Sequence, residues 1–228
     1  MNREYHFQVR GEEERIRNNL GLLDGEIQTM TTNDEQLNIT WKPTTDMDPL
    51  QKVADILQGG NYADGISLLE LFRSDDPANT TILFNLGMAY SEQGDWDRAV
   101  GVLRALIAQE PQHTNGLVAL GVALLRANKT DEGINELQRA ISQEPGNVWA
   151  QHQLGIGLLQ AGRNAEALEH LLRAIELRVD NPDAWFDYGQ ALQAQGDLRE
   201  ARKAYQKVID LDPPGEIAER ARTAIKEI

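Results

Sequence analysis

Four histidines, His6, His113, His152 and His170, are the groups on which a metal site or a general base would draw. None stands in an HExxH or other metal-ligand spacing, so no metal ligand is expected. His113 and His170 read as exposed helix or loop residues. Carboxylates that could share a proton occur at Asp75-Asp76 and in the run Glu12-Glu13-Glu14, a helix end and a charge run respectively. Both read as solvated faces. Gly155-Ile156-Gly157 looks like the opening of a dinucleotide fingerprint, but Gln160 stands where its third glycine belongs and no strand precedes it. There is no phosphate-cradling GxxxxGK[ST] loop and no GxSxG nucleophile elbow. Cysteine is absent, which removes disulfides, thiolate ligands and cysteine nucleophiles. The expectation is no catalytic residue, no cofactor and no metal: the chain is not read as an enzyme.

Charge narrows the alternatives. With 22 Lys+Arg against 36 Asp+Glu, the formal net charge is −14. A strongly acidic chain repels a phosphate backbone or an anionic membrane, so neither nucleic acid nor membrane is an expected partner. No apolar run approaches the ~18 residues of a membrane span, and MNREYHFQVRGEEER has no signal-peptide core. A cytoplasmic protein is expected. Hydrophobic residues make up 41% of the 228, enough to build a core.

What such a core looks like follows from an internal period. Gly87, Gly121, Gly155 and Gly189 are evenly spaced, in the contexts FNLGMAY, VALGVAL, HQLGIGL and WFDYGQAL. A second column follows one step behind, Gly94, Asn128, Gly162 and Gly196, and extends back to Gly60. A small-residue column (Gly65, Ala99, Gly133, Ala167, Ala201) and a large one (Leu69, Leu103, Leu137, Leu171, Tyr205) keep the same interval. Pro77, Pro111, Pro145 and Pro213 close the period, with Val179 the exception. Leu83, Leu86, Gly87 and Tyr90 share one helical face; Ala99, Leu103, Leu106 and Ile107 share that of a second helix. Gly94 and its equivalents suit the left-handed residue that ends the first helix, and Asp95, Asp197 and Asn61 suit the cap of the next. Small residues at Gly87 and Ala99 would mark the contact within one antiparallel pair. A single hairpin cannot bury both faces, so neighbours must stack into an all-α solenoid.

These residues resemble the tetratricopeptide repeat, a helix–turn–helix family whose unit is about 34 residues long. The phasing is 46–79, 80–113, 114–147, 148–181 and 182–215, with Val53 departing from glycine in the first unit. Residues 216–228 place Ile217, Ala221, Ala224 and Ile228 on one stripe of a capping helix. The N-terminal segment, 1–45, belongs to no repeat. Tyr5, Phe7 and Val9 alternate with polar residues, as do Leu37, Ile39 and Trp41, and both stretches predict half-buried strands. Asp24-Gly25 suggests a hairpin with a third strand near 26–32. GEEERIRNNLGLL fits a short helix or a further strand. The segment is expected to be β-rich or flexible, lying on the solenoid or pairing with a second copy.

The resemblance implies a concave face lined by the first helix of each repeat, where partner segments bind. By column, the partner-binding candidates are Phe84, Asn85, Met88, Asn115, Val118, Val122, Trp149, His152, Ile156, Asp183, Phe186 and Asp187. Phe84, Trp149 and Phe186 lie outside the core columns, and exposed apolar patches mark interaction sites. Chaperone-binding members clamp a C-terminal carboxylate with lysine, asparagine and arginine; the matching positions here are Phe84, Met88, Ala119, Trp149 and Gln153, none cationic, which disfavours that function. The expected role is a non-enzymatic scaffold taking an apolar or amphipathic peptide or helix, with Asp183 and Asp187 available to a basic flank. The alternative is self-assembly, with the groove or the N-terminal segment mediating a homo-oligomer.

Overall fold

The computed structural model describes residues 4–9, 13–33, 36–44 and 48–228. By contact density the chain divides into two units, Met1–Gly116 and Leu117–Ile228. In the first unit, β1 (Tyr5–Val9), α1 (Glu13–Leu20), β2 (Gly25–Asn33) and β3 (Gln36–Pro43) precede the helices α2 (Pro49–Gln58), α3 (Tyr62–Asp75), α4 (Thr80–Glu92) and α5 (Trp96–Gln109). Then α6 (Thr114–Arg126) runs from the end of the first unit into the second. There follow α7 (Thr130–Gln143), α8 (Val148–Gln160), α9 (Asn164–Leu177), α10 (Pro182–Gln195), α11 (Leu198–Leu211) and α12 (Glu216–Glu227). Successive helices pair as antiparallel hairpins, the α-solenoid arrangement of the period.

The hairpins follow from four residue columns. Gly94, Gly162 and Gly196 adopt positive φ at the ends of first helices, and Asn128 does so at φ 60°. There the left-handed turn favours glycine, with asparagine its usual replacement. Asn61, Asp95 and Asp197 cap the next helices, accepting from the backbone N–H of Asp64, Arg98 and Glu200. The glycine column makes room for the large column. A Cβ on Gly87 would lie 2.5 Å from Leu103 Cγ, on Gly155 2.5 Å from Leu171 Cγ, and on Gly189 2.6 Å from the Tyr205 ring. The two small columns do meet at Gly121, whose Cβ would lie 3.1 Å from the Gly133 carbonyl oxygen. At Gly87 one helix supplies the hollow and the other, through Leu103, the branched side chain that fills it.

The N-terminal strands form an antiparallel sheet of order β1-β3-β2, with Phe7 opposite Ile39 and Tyr5 opposite Trp41. Along β3 the side chains alternate, so that Leu37, Ile39, Trp41 and Pro43 are buried. Of the stretch read as either helix or strand, Gly11 and Glu12 lie outside the described residues. From Glu13 on the helix is found, with Ile16 and Leu20 buried. Within this unit the apolar face of the sheet meets α3: Phe72 is edge-on to Tyr5, Phe7 and Trp41, with centroids 5.1, 5.4 and 6.3 Å away. Such aromatic pairs add to the burial of their area. The outer edge of β1 is closed by α3 as well, His6 N–H donating to Asp75 (2.8 Å) and Gln8 N–H to Ser74 (3.3 Å). A three-stranded sheet thus gains the packing surface that it needs.

Candidate functional site

The first helices carry the candidate residues, and the structure sorts them by exposure. In the first unit, Met88 and Asn115 are exposed or nearly so, and Phe84 and Asn85 half-buried. Phe84 lies against the His113 imidazole with centroids 5.4 Å apart. His113 is not the exposed residue expected: its Nδ1 accepts the Gly116 backbone N–H at 2.9 Å, capping α6. It occupies a column of helix caps, Asn79, His113, Asn147 and Asn181, in which the asparagines accept from Ile82, Ala150 and Ala184. That column keeps the interval of the glycines and is readable in the sequence.

In the second unit, Val118 is buried, Val122 and Ile156 half-buried, Asp183 exposed, and Trp149 the most open of the large apolar candidates. Three expectations are corrected. Val118, at 4% exposed, is a core side chain and not an open groove contact, because α6 is packed on that side. Phe186 is only 4% exposed, packed on Tyr205 (5.5 Å between centroids) with the Arg220 guanidinium over its ring at 4.4 Å. It is core because α11 and α12 close over this side of α10, which counting residues outside the repeated columns does not reveal. His152 is 3% exposed, and its Nε2 donates to Asp187 Oδ2 at 2.7 Å. A carboxylate only accepts, so Nε2 carries a proton. Nδ1 is buried without a hydrogen-bond partner. His170 is half-buried rather than exposed; its Nδ1 donates to Gln151 Oε1 at 2.8 Å, and burial holds its pKa below the usual imidazole value. Burial, with the charges of Asp187 and Glu227, pushes the Tyr205 phenol up to about 12, so it stays a donor to Gln193 at neutral pH.

Beside Trp149, 56% exposed, lies a cavity of about 430 Å³ lined by Val148, Trp149, His152, Arg178, Asp180, Asn181, Pro182 and Asp183. Arg178 and Asp180 were absent from the candidates because they lie in the α9–α10 turn, outside any first helix. Among the described residues no group of three His, Asp or Glu side chains is placed to hold a metal ion, and no helix is long and apolar enough to cross a membrane.

Stacked helical hairpins with open side chains on their first helices define a repeat protein of the helix–turn–helix type. Tetratricopeptide-repeat family models match residues 55–114, 84–148 and 152–216, and a second such model matches 124–176. Together these cover well over half of the chain, which belongs to the tetratricopeptide-repeat family. No curated protein sequence matches it significantly. Solved structures share the fold: MamA 41-end from Desulfovibrio magneticus RS-1 is 19% identical with a TM-score of 0.67, over 72% of this chain and 93% of that one. A further MamA structure is 22% identical with a TM-score of 0.66, over 78% and 99%. YrrB, described as a TPR protein with an unusual peptide-binding site, is 18% identical with a TM-score of 0.64, over 78% and 92%.

Proposed function

We propose that the chain is a non-enzymatic interaction module that binds a peptide segment of another protein, with Trp149 as its principal anchor. The observation that carries this reading is the indole, 56% exposed at the mouth of a cavity of about 430 Å³. A large aromatic side chain left in water on an otherwise packed helix is costly, and such residues dominate interfaces when a partner covers them. Family membership supports the reading, as does the peptide-binding site named for YrrB. Within the first unit, Met88 and half-buried Phe84 are the apolar candidates. Asp183, which lines the cavity from α10, gives a basic flank something to meet. Asp187 acts through His152, which it orients, and buried Phe186 is not offered as a contact.

Peptide selection on the full chain from a random library tests this. Recovered peptides should lose at least tenfold in affinity for Trp149→Ala, about 1.4 kcal/mol, while the thermal midpoint of the variant stays unchanged. If selection yields no peptide, or if Trp149→Ala binds as well as the native chain, the reading fails.

A further inference from the structure

We infer that the cavity beside Trp149 is a receptor for a cationic side chain, specifically an arginine carried by the bound segment; this rests on the peptide-binding reading above. Two independent features point to the same ligand chemistry. First, the cavity wall contributes the carboxylates of Asp180 and Asp183, and among the described residues neither is paired with a cation of the chain. The His152 imidazole also lines the cavity; only 3% exposed, it donates from Nε2 to Asp187. Second, Trp149 supplies the aromatic face that attracts a cation most strongly, and its ring is held edge-on to the imidazole at 6.2 Å.

Both features are acceptors or electron-rich surfaces, which suit a donor with positive charge. A guanidinium meets the requirement better than an ammonium. Its plane lies flat on an indole while its in-plane N–H groups remain free to donate to carboxylates, and it is weakly hydrated. The lining holds one cation, Arg178, against the two carboxylates of Asp180 and Asp183, so the site keeps a formal surplus of negative charge. Its guanidinium is free to donate to a main-chain carbonyl of the same segment, which would fix the direction in which the segment lies. Asn181 is committed elsewhere: its side chain accepts from the backbone N–H of Asp183 and Ala184 and so fixes the first turn of α10 that carries Asp183.

An array of capped nonapeptides, apolar around a central Arg, Lys, citrulline or Glu, tests the inference on the full chain, with sedimentation velocity run alongside. The Arg series should bind about tenfold more tightly than citrulline, which keeps the shape and loses the charge, with Lys between and Glu weakest. Asp180→Asn combined with Asp183→Asn should erase the Arg-over-citrulline ratio while the midpoint of melting is kept. Equal binding of the Arg and citrulline peptides, or a ratio untouched by the double variant, would overturn the arginine receptor and leave peptide binding standing. Failure of every peptide at millimolar concentration would overturn both. So would a chain that self-associates through this cavity, seen as oligomers lost in Trp149→Ala.

Discussion

The turns that lead into α8 and α10 occupy the same phase of the period, one repeat apart, yet are built from different side chains. Before α8, Gln151 Nε2 donates to the Pro145 carbonyl at 3.0 Å. Before α10, Trp185 Nε1 donates to the Val179 carbonyl at 2.9 Å. The repeat therefore keeps a hydrogen bond and not a residue, because an orphaned carbonyl at the end of a helix needs a donor whatever its source. It also shows how Val179 can replace proline, since the turn is held by the indole. At the next residue, His152 and Phe186 share a position and are both buried, one against Asp187 and the other against Tyr205. Three residues before each, Trp149 and Asp183 share a position and both open onto the cavity. The row expected to form the groove here is closed, and the row beside it is open.

The largest expected effect comes from removing what α8 and α10 share. Gly155→Leu drives a side chain into Leu171, 2.5 Å from even a first Cβ. It should cost about 3 kcal/mol or more, read as a collapse of the helical signal on heating well below the native midpoint. An unchanged midpoint would mean that the hairpins are not held by this contact. Next, Phe186→Ala and Trp149→Ala should separate the two rows. Loss of the buried ring should cost about 3–5 kcal/mol in chemical denaturation. The exposed one should cost less than about 0.5 kcal/mol. Equal losses would erase the distinction between closed and open positions.

A smaller loss belongs to the polar version of the closed row. Asp187→Ala leaves the buried His152 Nε2–H without an acceptor, an expected cost of about 1–3 kcal/mol. Asp187→Asn, which keeps a carbonyl oxygen, should recover part of it. The smallest effect is on pH dependence, through the His170–Gln151 contact. Burial depresses the His170 pKa, so the folded state favours the neutral ring. Its contribution is present above the unfolded value of about 6.5 and is lost as pH falls from there through the folded pKa. His170→Gln should flatten the urea-unfolding profile in that interval; an unaltered profile would show that the ring does not couple protonation to folding.

Much of the fold can be read from the sequence because the repeat imposes the same physical demand at fixed intervals. Gly94 and Asn128 announce a left-handed turn, and Gly155 announces a close approach, without knowledge of any neighbour. The alternation in Tyr5-His6-Phe7 announces a strand in the same way, since period two is a local property. Which surface would accept that strand is not local: Phe72 is one apolar residue of α3 among several until the sheet is seen to meet it. The candidate site divides along the same line. Trp149 and Asp183 could be named from their columns. Arg178 and Asp180 could not, since a cavity wall joins residues from a turn and two helices that no spacing relates.

Composition and period by themselves determined that this chain is a helical repeat protein, since column after column specifies a hairpin from within its own repeat unit. Tertiary structure alone decided which side chains of those hairpins meet water. Burial depends on what packs across a helix, and so Phe186, free of every repeated column, lies beneath Tyr205 and Arg220 while Trp149 stays open. It also decided that the His152 proton goes to Asp187, a partner on the next repeat that no helical spacing connects to it.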